Sequence, residues 1–150
     1  MLDLTISAVF LANAIWYGLG FIAFYLRRDV FAKIVVPIKA DRNNSAYAAV
    51  IESGRFMGGF NFALSALNLA LFLDLADLNT PAQLSLLLAF NALAHGSQFF
   101  GNVPMAIKNR QGAGLWNVFK GVMLQIFVID FVLMSANFAL AAMILLQFIS

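Results

Sequence analysis

The sequence predicts an all-α integral membrane protein, a four-helix bundle with both termini on the outer side (N-out/C-out). Three observations support this prediction: 63% of the 150 residues are hydrophobic, only 11% are charged, and the basic residues are confined to two of three expected connections. Soluble domains are usually about half apolar and about a quarter charged. The length fits a single transmembrane domain, 1–150, with room for four spans of about 20 residues each.

Four apolar stretches predict the helices. The second helix is expected to begin after the N-cap candidates Asn43-Asn44-Ser45, and the third near Pro81, because proline is favoured at the first helical position. Pro104 is expected to end the third helix, and Trp116 to anchor the fourth at the membrane interface. The expected helices cover about 4–26, 45–75, 82–103 and 116–148.

The connection between the first two helices is expected to lie on the membrane surface. Residues from about 29–40 mix apolar side chains with Lys33 and Lys39, and a proline bends the segment. Lysines in such an interfacial segment lie near lipid headgroups. The second helix then begins in the cytoplasm before it enters the membrane, and Glu52 and Arg55 on that extension are spaced to form an ion pair.

The basic residues predict the orientation. All 9 lysines and arginines lie in or beside the first and third connections, whereas the second connection carries Asp74 and Asp77. The positive-inside rule places basic connections in the cytoplasm, so both termini are expected outside. A bacterial inner membrane is the expected location, since the chain has no cysteine, and the endoplasmic-reticulum membrane is the alternative.

Two polar stripes, on the second and third helices, predict a contact between them. Within each stripe the residues are three or four apart, which places them on one helix face. Polar groups need partners in hydrocarbon, so we expect the stripes to face each other, with Gly54 and Gly58 allowing close approach. The expected pairs are Gly58 with Asn102, Asn61 with Gln98, Ser65 with His95, and Asn68 with Asn91. The alternative is a seam that only holds the helices together.

Asp130 lies near the middle of the fourth helix, at the same expected depth as His95. An aspartate there carries an insertion penalty of roughly 2.5–3.5 kcal/mol, so it needs a partner, and His95 is the ionisable candidate. Asn13, Tyr17 and Gly20 form a similar stripe on the first helix, and Asn137 extends the polar face of the fourth. Three alternatives stay open: the pair locks two helices, it binds a ligand or moves protons, or it does not form.

Composition excludes several kinds of chemistry. The absence of cysteine removes thiolate chemistry, and a single histidine removes any metal cluster built on several histidines. We expect no catalytic residues, no metal and no cofactor. A nucleic-acid partner is also not expected, because no basic face alternates with exposed aromatic residues.

Two loose family resemblances suggest further possibilities. The Gly54-Arg55-Phe56-x-Gly58 motif at the second helix resembles small bacterial four-helix proteins of the DoxX-like group. The size, the four helices and the basic first connection resemble the MAPEG family, which includes microsomal glutathione transferases. That resemblance implies a cytoplasmic site for glutathione and a lipophilic substrate, formed by residues of matching type: Arg42, Asn44, Glu52, Arg55 and Asn61.

The leading hypothesis is a non-catalytic accessory or binding subunit of a larger membrane complex or oligomer. Its expected partners are membrane lipids and other membrane subunits, or further copies of the chain, contacted through small-residue and polar helix faces. One alternative is the glutathione-dependent enzyme. The other is a small transporter or proton-pathway subunit that uses Asp130 and His95.

Overall fold

The computed structural model describes residues 4–75, 77–78 and 80–149, and side chains up to residue 147. These residues are all-helical: 85% of the chain is helix, and the described ranges contain no strand. The all-α prediction is therefore confirmed. The described helices are α1 (Leu4–Phe21), α2 (Arg28–Val35), α3 (Ser45–Phe72), α4 (Pro81–Arg110) and α5 (Gly121–Ile149). A π-helical turn, Ile22–Leu26, continues α1, and a 3-10 turn, Lys39–Arg42, precedes α3.

Side-chain caps determine where α3 and α4 begin. The Asn44 side chain accepts a hydrogen bond from the Tyr47 backbone N–H at 2.9 Å, and α3 starts at the next residue, as the sequence predicts. Before α4, Thr80 and Gln83 form a capping box, and Pro81 occupies the first turn. Each such cap stabilises a helix by about 1 kcal/mol.

The connection between α4 and α5 differs from the prediction. Pro104 lies inside α4, which continues to Arg110, and α5 begins at Gly121 rather than at Trp116. A proline removes one helical hydrogen bond but does not prevent the chain from remaining helical when later residues are held by packing. Here the added turns carry Asn109, whose side chain organises the connection.

Asn109 holds the connection through three hydrogen bonds. Its Nδ2 donates to the carbonyls of Ala113 at 3.0 Å and Trp116 at 2.9 Å, and its Oδ1 accepts from the Val118 backbone N–H at 2.7 Å. Trp116 therefore lies in the connection, where its indole N–H donates to Asn102 Oδ1 at 3.3 Å.

The long helices pack in two close pairs, α1 with α3 and α4 with α5, and α1 also contacts α5. Glycines of α3 make the first pair close. A Cβ added at Gly54 would lie 2.7 Å from the Phe24 carbonyl oxygen, and one added at Gly58 would lie 2.6 Å from Tyr25 Cβ. Only glycine fits against the π-helical turn at these two positions.

One end of the bundle has an apolar core, and the outer surface of the bundle is largely apolar. An apolar cluster joins the first residues of α1 and α4 to the last turns of α3 and α5: Ile6, Phe10, Leu71, Leu84, Leu88 and Ala141. Two helical segments, Leu4–Leu26 and Gly121–Gln147, are long and apolar enough to cross a membrane. Many large apolar side chains on the four long helices are exposed.

Candidate functional site

Four asparagines, one from each long helix, meet in the middle of the bundle and are fully buried. We call Asn13, Asn68, Asn91 and Asn137 the amide layer. Asn13 Nδ2 donates to Asn68 Oδ1 at 3.2 Å and to Asn137 Oδ1 at 3.0 Å. Asn137 Nδ2 donates back to Asn13 Oδ1 at 3.0 Å, and Asn68 Nδ2 donates to Asn91 Oδ1 at 2.9 Å. The layer therefore links all four helices.

Backbone carbonyls fix the orientation of three of these amides. The side-chain N–H groups of Asn68, Asn91 and Asn137 each donate to the carbonyl four residues earlier, at 2.9, 3.0 and 2.8 Å. A carbonyl oxygen can only accept, so each amide nitrogen must lie on that side. The Oδ1 atoms of Asn68 and Asn137 then require the Asn13 NH₂ group, and Asn13 must turn its oxygen towards His95.

This geometry determines how many protons His95 and Asp130 share. His95 Nε2 lies 3.1 Å from Asn13 Oδ1, an acceptor, so Nε2 carries a proton. His95 Nδ1 lies 3.0 Å from Asp130 Oδ1, and that contact needs one proton between the two atoms. The pair is consequently neutral overall, whether it is imidazole with carboxylic acid or imidazolium with carboxylate.

Aromatic residues of α1 surround the pair. The Trp16 indole N–H donates to Asp130 Oδ1 at 2.9 Å. The Tyr17 ring stacks on His95 with ring centroids 4.7 Å apart and an interplanar angle of 13°. Within the described part of the chain the Tyr17 hydroxyl is buried and has no hydrogen-bond partner. His95 and Asp130 are almost fully buried, with 0% and 2% of each residue exposed.

An interior cavity of about 430 Å³ adjoins the pair on the side away from the apolar cluster. It lies between the α1–α3 pair and the α4–α5 pair, and Asp130, Trp16 and Tyr17 form part of its wall. Gln98 and Gln125 also line it, and no described hydrogen bond engages either side-chain amide. Volumes of roughly 300–1,000 Å³ are typical of small-molecule sites.

The predicted seam between α3 and α4 forms at one of its four pairs, Asn68 with Asn91. No described hydrogen bond joins the other three predicted pairs. Ser65 donates to the Ala14 carbonyl at 2.8 Å instead of meeting His95. Asn61 donates to its own helix, at the Met57 carbonyl, and lines the interior cavity together with Gln98.

The glycine end of the seam is replaced by contacts with other segments. Gly58 packs on Tyr25 rather than near Asn102. Asn102 Nδ2 donates to the Gln98 carbonyl at 3.0 Å, within α4. The physical reason is that α1 occupies the polar face of α3: its glycines admit the α3 side chains, and a Cβ at Gly18 would lie 3.3 Å from Ser65 Oγ.

The expected cytoplasmic site is not assembled as a unit. Arg55 Nε lies 2.8 Å from Glu52 Oε2, and Arg28 Nε lies 3.4 Å from Glu52 Oε1. Arg42 instead donates to the carbonyls of Val36 and Pro37 at 2.7 and 2.8 Å, which ties down the end of α2. The Glu52 and Arg55 side chains are about half exposed, as in an ordinary surface ion pair.

A second surface ion pair lies on α2, where Lys33 Nζ is 2.8 Å from Asp29 Oδ2. Its hydrogen bond lowers the pKa of the Asp29 carboxyl and raises the pKa of the Lys33 ammonium.

Sequence reasoning missed two residues of the site, Trp16 and Gln125. Gln125 had a usable signal, since it is a lone amide in the first turns of a strongly apolar helix. Trp16 had none, because an indole N–H in an apolar stretch is equally suited to an interface. In the described residues, no group of three or more acidic or histidine side chains is placed to hold a metal.

Comparisons with protein-family models, with curated proteins and with solved structures give no significant match. The resemblances to the DoxX-like group and to the MAPEG family therefore rest only on the residues quoted for them.

Proposed function

We propose that all four long helices cross a membrane. In α1 and α5, only 28% and 22% of the residues of the most apolar window are buried, whereas a core helix of a soluble protein would be mostly buried. The other two helices carry their polar groups inside and apolar groups outside: Asn68 and His95 are fully buried, while Phe60 and Leu93 are 73% and 75% exposed. This inverted pattern suits hydrocarbon as the surrounding solvent.

The proposed orientation has both termini outside, in the inner membrane. At 1.5 Å per residue α4 is about 45 Å long, against a hydrocarbon core of about 30 Å. We infer that its last turns extend past the bilayer, with Lys108 and Arg110 in the cytoplasm. Arg28 and Arg55, paired with Glu52, lie at the same end of the bundle, as the positive-inside rule requires.

Within this bundle, the function that the geometry supports best is the binding of a small molecule that enters the interior cavity from the bilayer. One observation carries the proposal: a cavity of about 430 Å³ is lined by a buried aspartate and by amides with no described partner, and in the proposed bundle it lies within the membrane. Unsatisfied polar groups are costly in hydrocarbon, and a bound molecule would satisfy them. The chain is then a non-catalytic binding protein.

The hypothesis that the chain is a subunit of a larger complex has less support than the binding of a small molecule. Gly54 and Gly58, expected to receive a partner helix, are occupied by the π-helical turn of the same chain. Partner subunits would have to use the exposed apolar faces instead, on which nothing selects a particular partner. A glutathione-dependent enzyme draws little support, because Arg42 holds the end of α2 rather than joining Glu52 and Arg55.

A proton-pathway subunit is the second candidate, favoured by the single proton that His95 and Asp130 share. The surroundings argue against conduction across the whole membrane. Beyond the amide layer, Phe10 and Leu88 are fully buried in the apolar cluster, and the described buried hydroxyl beside it, that of Ser85, donates to the Ala141 carbonyl. The cavity reaches the pair at Asp130, which lines it, whereas His95 is not among its lining residues.

The test is to identify molecules that copurify with the chain. Purified into lipid nanodiscs from native membranes, the protein would be extracted with organic solvent and the extract analysed by mass spectrometry. Ala94 lines the cavity, and its neighbour Leu93 points outwards. We expect a small molecule to copurify with the wild type and with Leu93→Phe, and to be lost from Ala94→Phe. Equal extracts from all three folded proteins would contradict the proposal.

A further inference from the structure

We propose that the ligand of the interior cavity is an uncharged amphiphile with a hydroxyl head, whose head lies between Asp130 and Tyr17. This inference rests on the proposed function and adds the chemical class of the ligand. It follows from three properties of the cavity wall: its net charge, its unused hydrogen-bonding atoms and the position of its apolar residues.

The cavity offers no counter-charge to an ionic ligand. Among the residues that line it, Asp130 carries the one carboxyl, and none of the lining residues is lysine or arginine. The fixed amide layer requires one proton between Asp130 and His95, so the pair is already neutral. An ammonium or carboxylate head would enter without a neutralising partner, in a cavity that under the proposed function opens to lipid, where an unpaired charge is costly. An uncharged head has no such penalty.

The hydrogen-bonding atoms left over require a head that both donates and accepts. Both side-chain hydrogen bonds to Asp130 use Oδ1, so Oδ2 is left as an acceptor. Tyr17 is only 4% exposed. Its hydroxyl has no described hydrogen-bond partner and is therefore available as a donor. A hydroxyl group donates one hydrogen bond and accepts others through a single atom. A ketone or ester would leave Asp130 Oδ2 without a donor.

The remaining wall suits a hydrocarbon tail. Apolar side chains from four helices line the cavity beyond the polar end: Leu19, Phe24, Ile34, Phe60 and Ile126. Leu19 and Phe60 at the rim are 52% and 73% exposed, so the cavity is open to the surrounding lipid. The ligand would bind with its head at Asp130 and its tail towards the bilayer.

Fluorescence can test this class directly, because Trp16 lines the cavity and the chain has 2 tryptophans. A Trp116→Phe protein in nanodiscs reports from Trp16 alone, and a Trp16→Phe protein reports non-specific partition at Trp116. The probes are four brominated dodecyl compounds. The alcohol, the amine and the carboxylate carry bromine near the polar head, and the fourth is a brominated dodecane with no polar head. Bromine quenches tryptophan on contact.

We expect the alcohol to quench Trp16 saturably, at about tenfold lower membrane concentration than the other three probes, and to quench Trp116 without saturation. In the Trp116→Phe background, Tyr17→Phe should weaken the alcohol about five- to tenfold, the value of one hydrogen bond of 1–1.4 kcal/mol. It breaks no described bond, so the protein should stay folded. Tyr25→Phe, outside the cavity, should change nothing. Gln125→Leu provides a second cavity variant with the same expected direction.

The outcomes separate the two proposals. Saturable quenching by the alkane or by a charged probe as tight as by the alcohol would overturn the hydroxyl class but retain a binding cavity. The same follows if Tyr17→Phe and Gln125→Leu leave the affinity for the alcohol unchanged. If no probe quenches Trp16 saturably, both this inference and the proposed binding of a bilayer molecule fail.

Discussion

Replacement of Asn13 by leucine is the most informative change to the interior, because Asn13 contacts three other helices at once. Its amide takes part in four interhelical hydrogen bonds: one with Asn68, two with Asn137 and one with His95. Leucine has nearly the same size and fits hydrocarbon, so the change removes the bonds and little packing. The three partners are fully buried and would find no water.

The magnitude follows from two estimates. Interhelical hydrogen bonds in membranes average about 0.6 kcal/mol each, so four of them contribute about 2.4 kcal/mol. A buried donor or acceptor left unsatisfied costs about 1–3 kcal/mol. The change removes the described partner of His95 Nε2 and of the Asn68 and Asn137 Oδ1 atoms, and we expect one of these groups to remain unsatisfied after repacking. We therefore expect Asn13→Leu to lower the free energy of unfolding by about 3–5 kcal/mol.

The assay is reversible unfolding in bicelles by steric trapping or by titration with a denaturing detergent. Asn61→Leu is the matched control, since the Asn61 side chain donates only to the Met57 carbonyl of its own helix. The control should change the free energy of unfolding by about 0.5 kcal/mol or less. If Asn13→Leu loses no more stability than Asn61→Leu, the amide layer does not hold the helices together and the reasoning fails.

Other predictions concern packing, charge and the last connection. Gly58→Ala should destabilise the fold by about 1–3 kcal/mol, because its Cβ would meet Tyr25, whereas Gly59→Ala, with open space at that position, should be neutral or stabilising in the same unfolding assay. The pKa of Asp29 is lowered and the pKa of Lys33 is raised, so their ion pair contributes to stability at pH values between these two pKa values. That contribution is lost as pH falls through the Asp29 pKa or rises through the Lys33 pKa. Carboxyl NMR titration should show that Lys33→Gln raises the Asp29 pKa towards its ordinary value, with the part due to backbone hydrogen bonds retained, and no change would contradict the pairing. Asn109→Ala should speed amide hydrogen exchange in residues 113–118 without affecting α5, and unchanged exchange would contradict its role.

Local signals in the sequence predicted the helices well. Asn44 and the Thr80–Pro81 pair mark helix starts through capping, which depends only on neighbouring residues. The prediction that Pro104 ends the helix was wrong because the effect of a proline depends on what holds the following turns. Here the contacts of Asn109 hold them, and these are tertiary contacts.

The polar spacing predicted which residues turn inwards but not which helices they contact. Asn68 and Asn91 do meet, and His95 lies beside Asp130. Ser65 and Asn61 share the face of Asn68, yet α1 lies against that face. Depth matching between two helices that are neighbours in sequence cannot detect a third helix packed on the same face, because each stripe satisfies the same periodicity whichever helix it faces.

The measurement that tests the account most directly is the ¹⁵N NMR spectrum of the histidine ring in lipid bilayers. The chain has 1 histidine, so labelled histidine reports on His95 alone. We expect Nε2 to carry a proton that exchanges slowly with water and is coupled through a hydrogen bond to the Asn13 side chain. A bare Nε2 with the proton on Nδ1, or a ring that exchanges freely with water, would contradict both the fixed amide layer and the neutral cavity built on it.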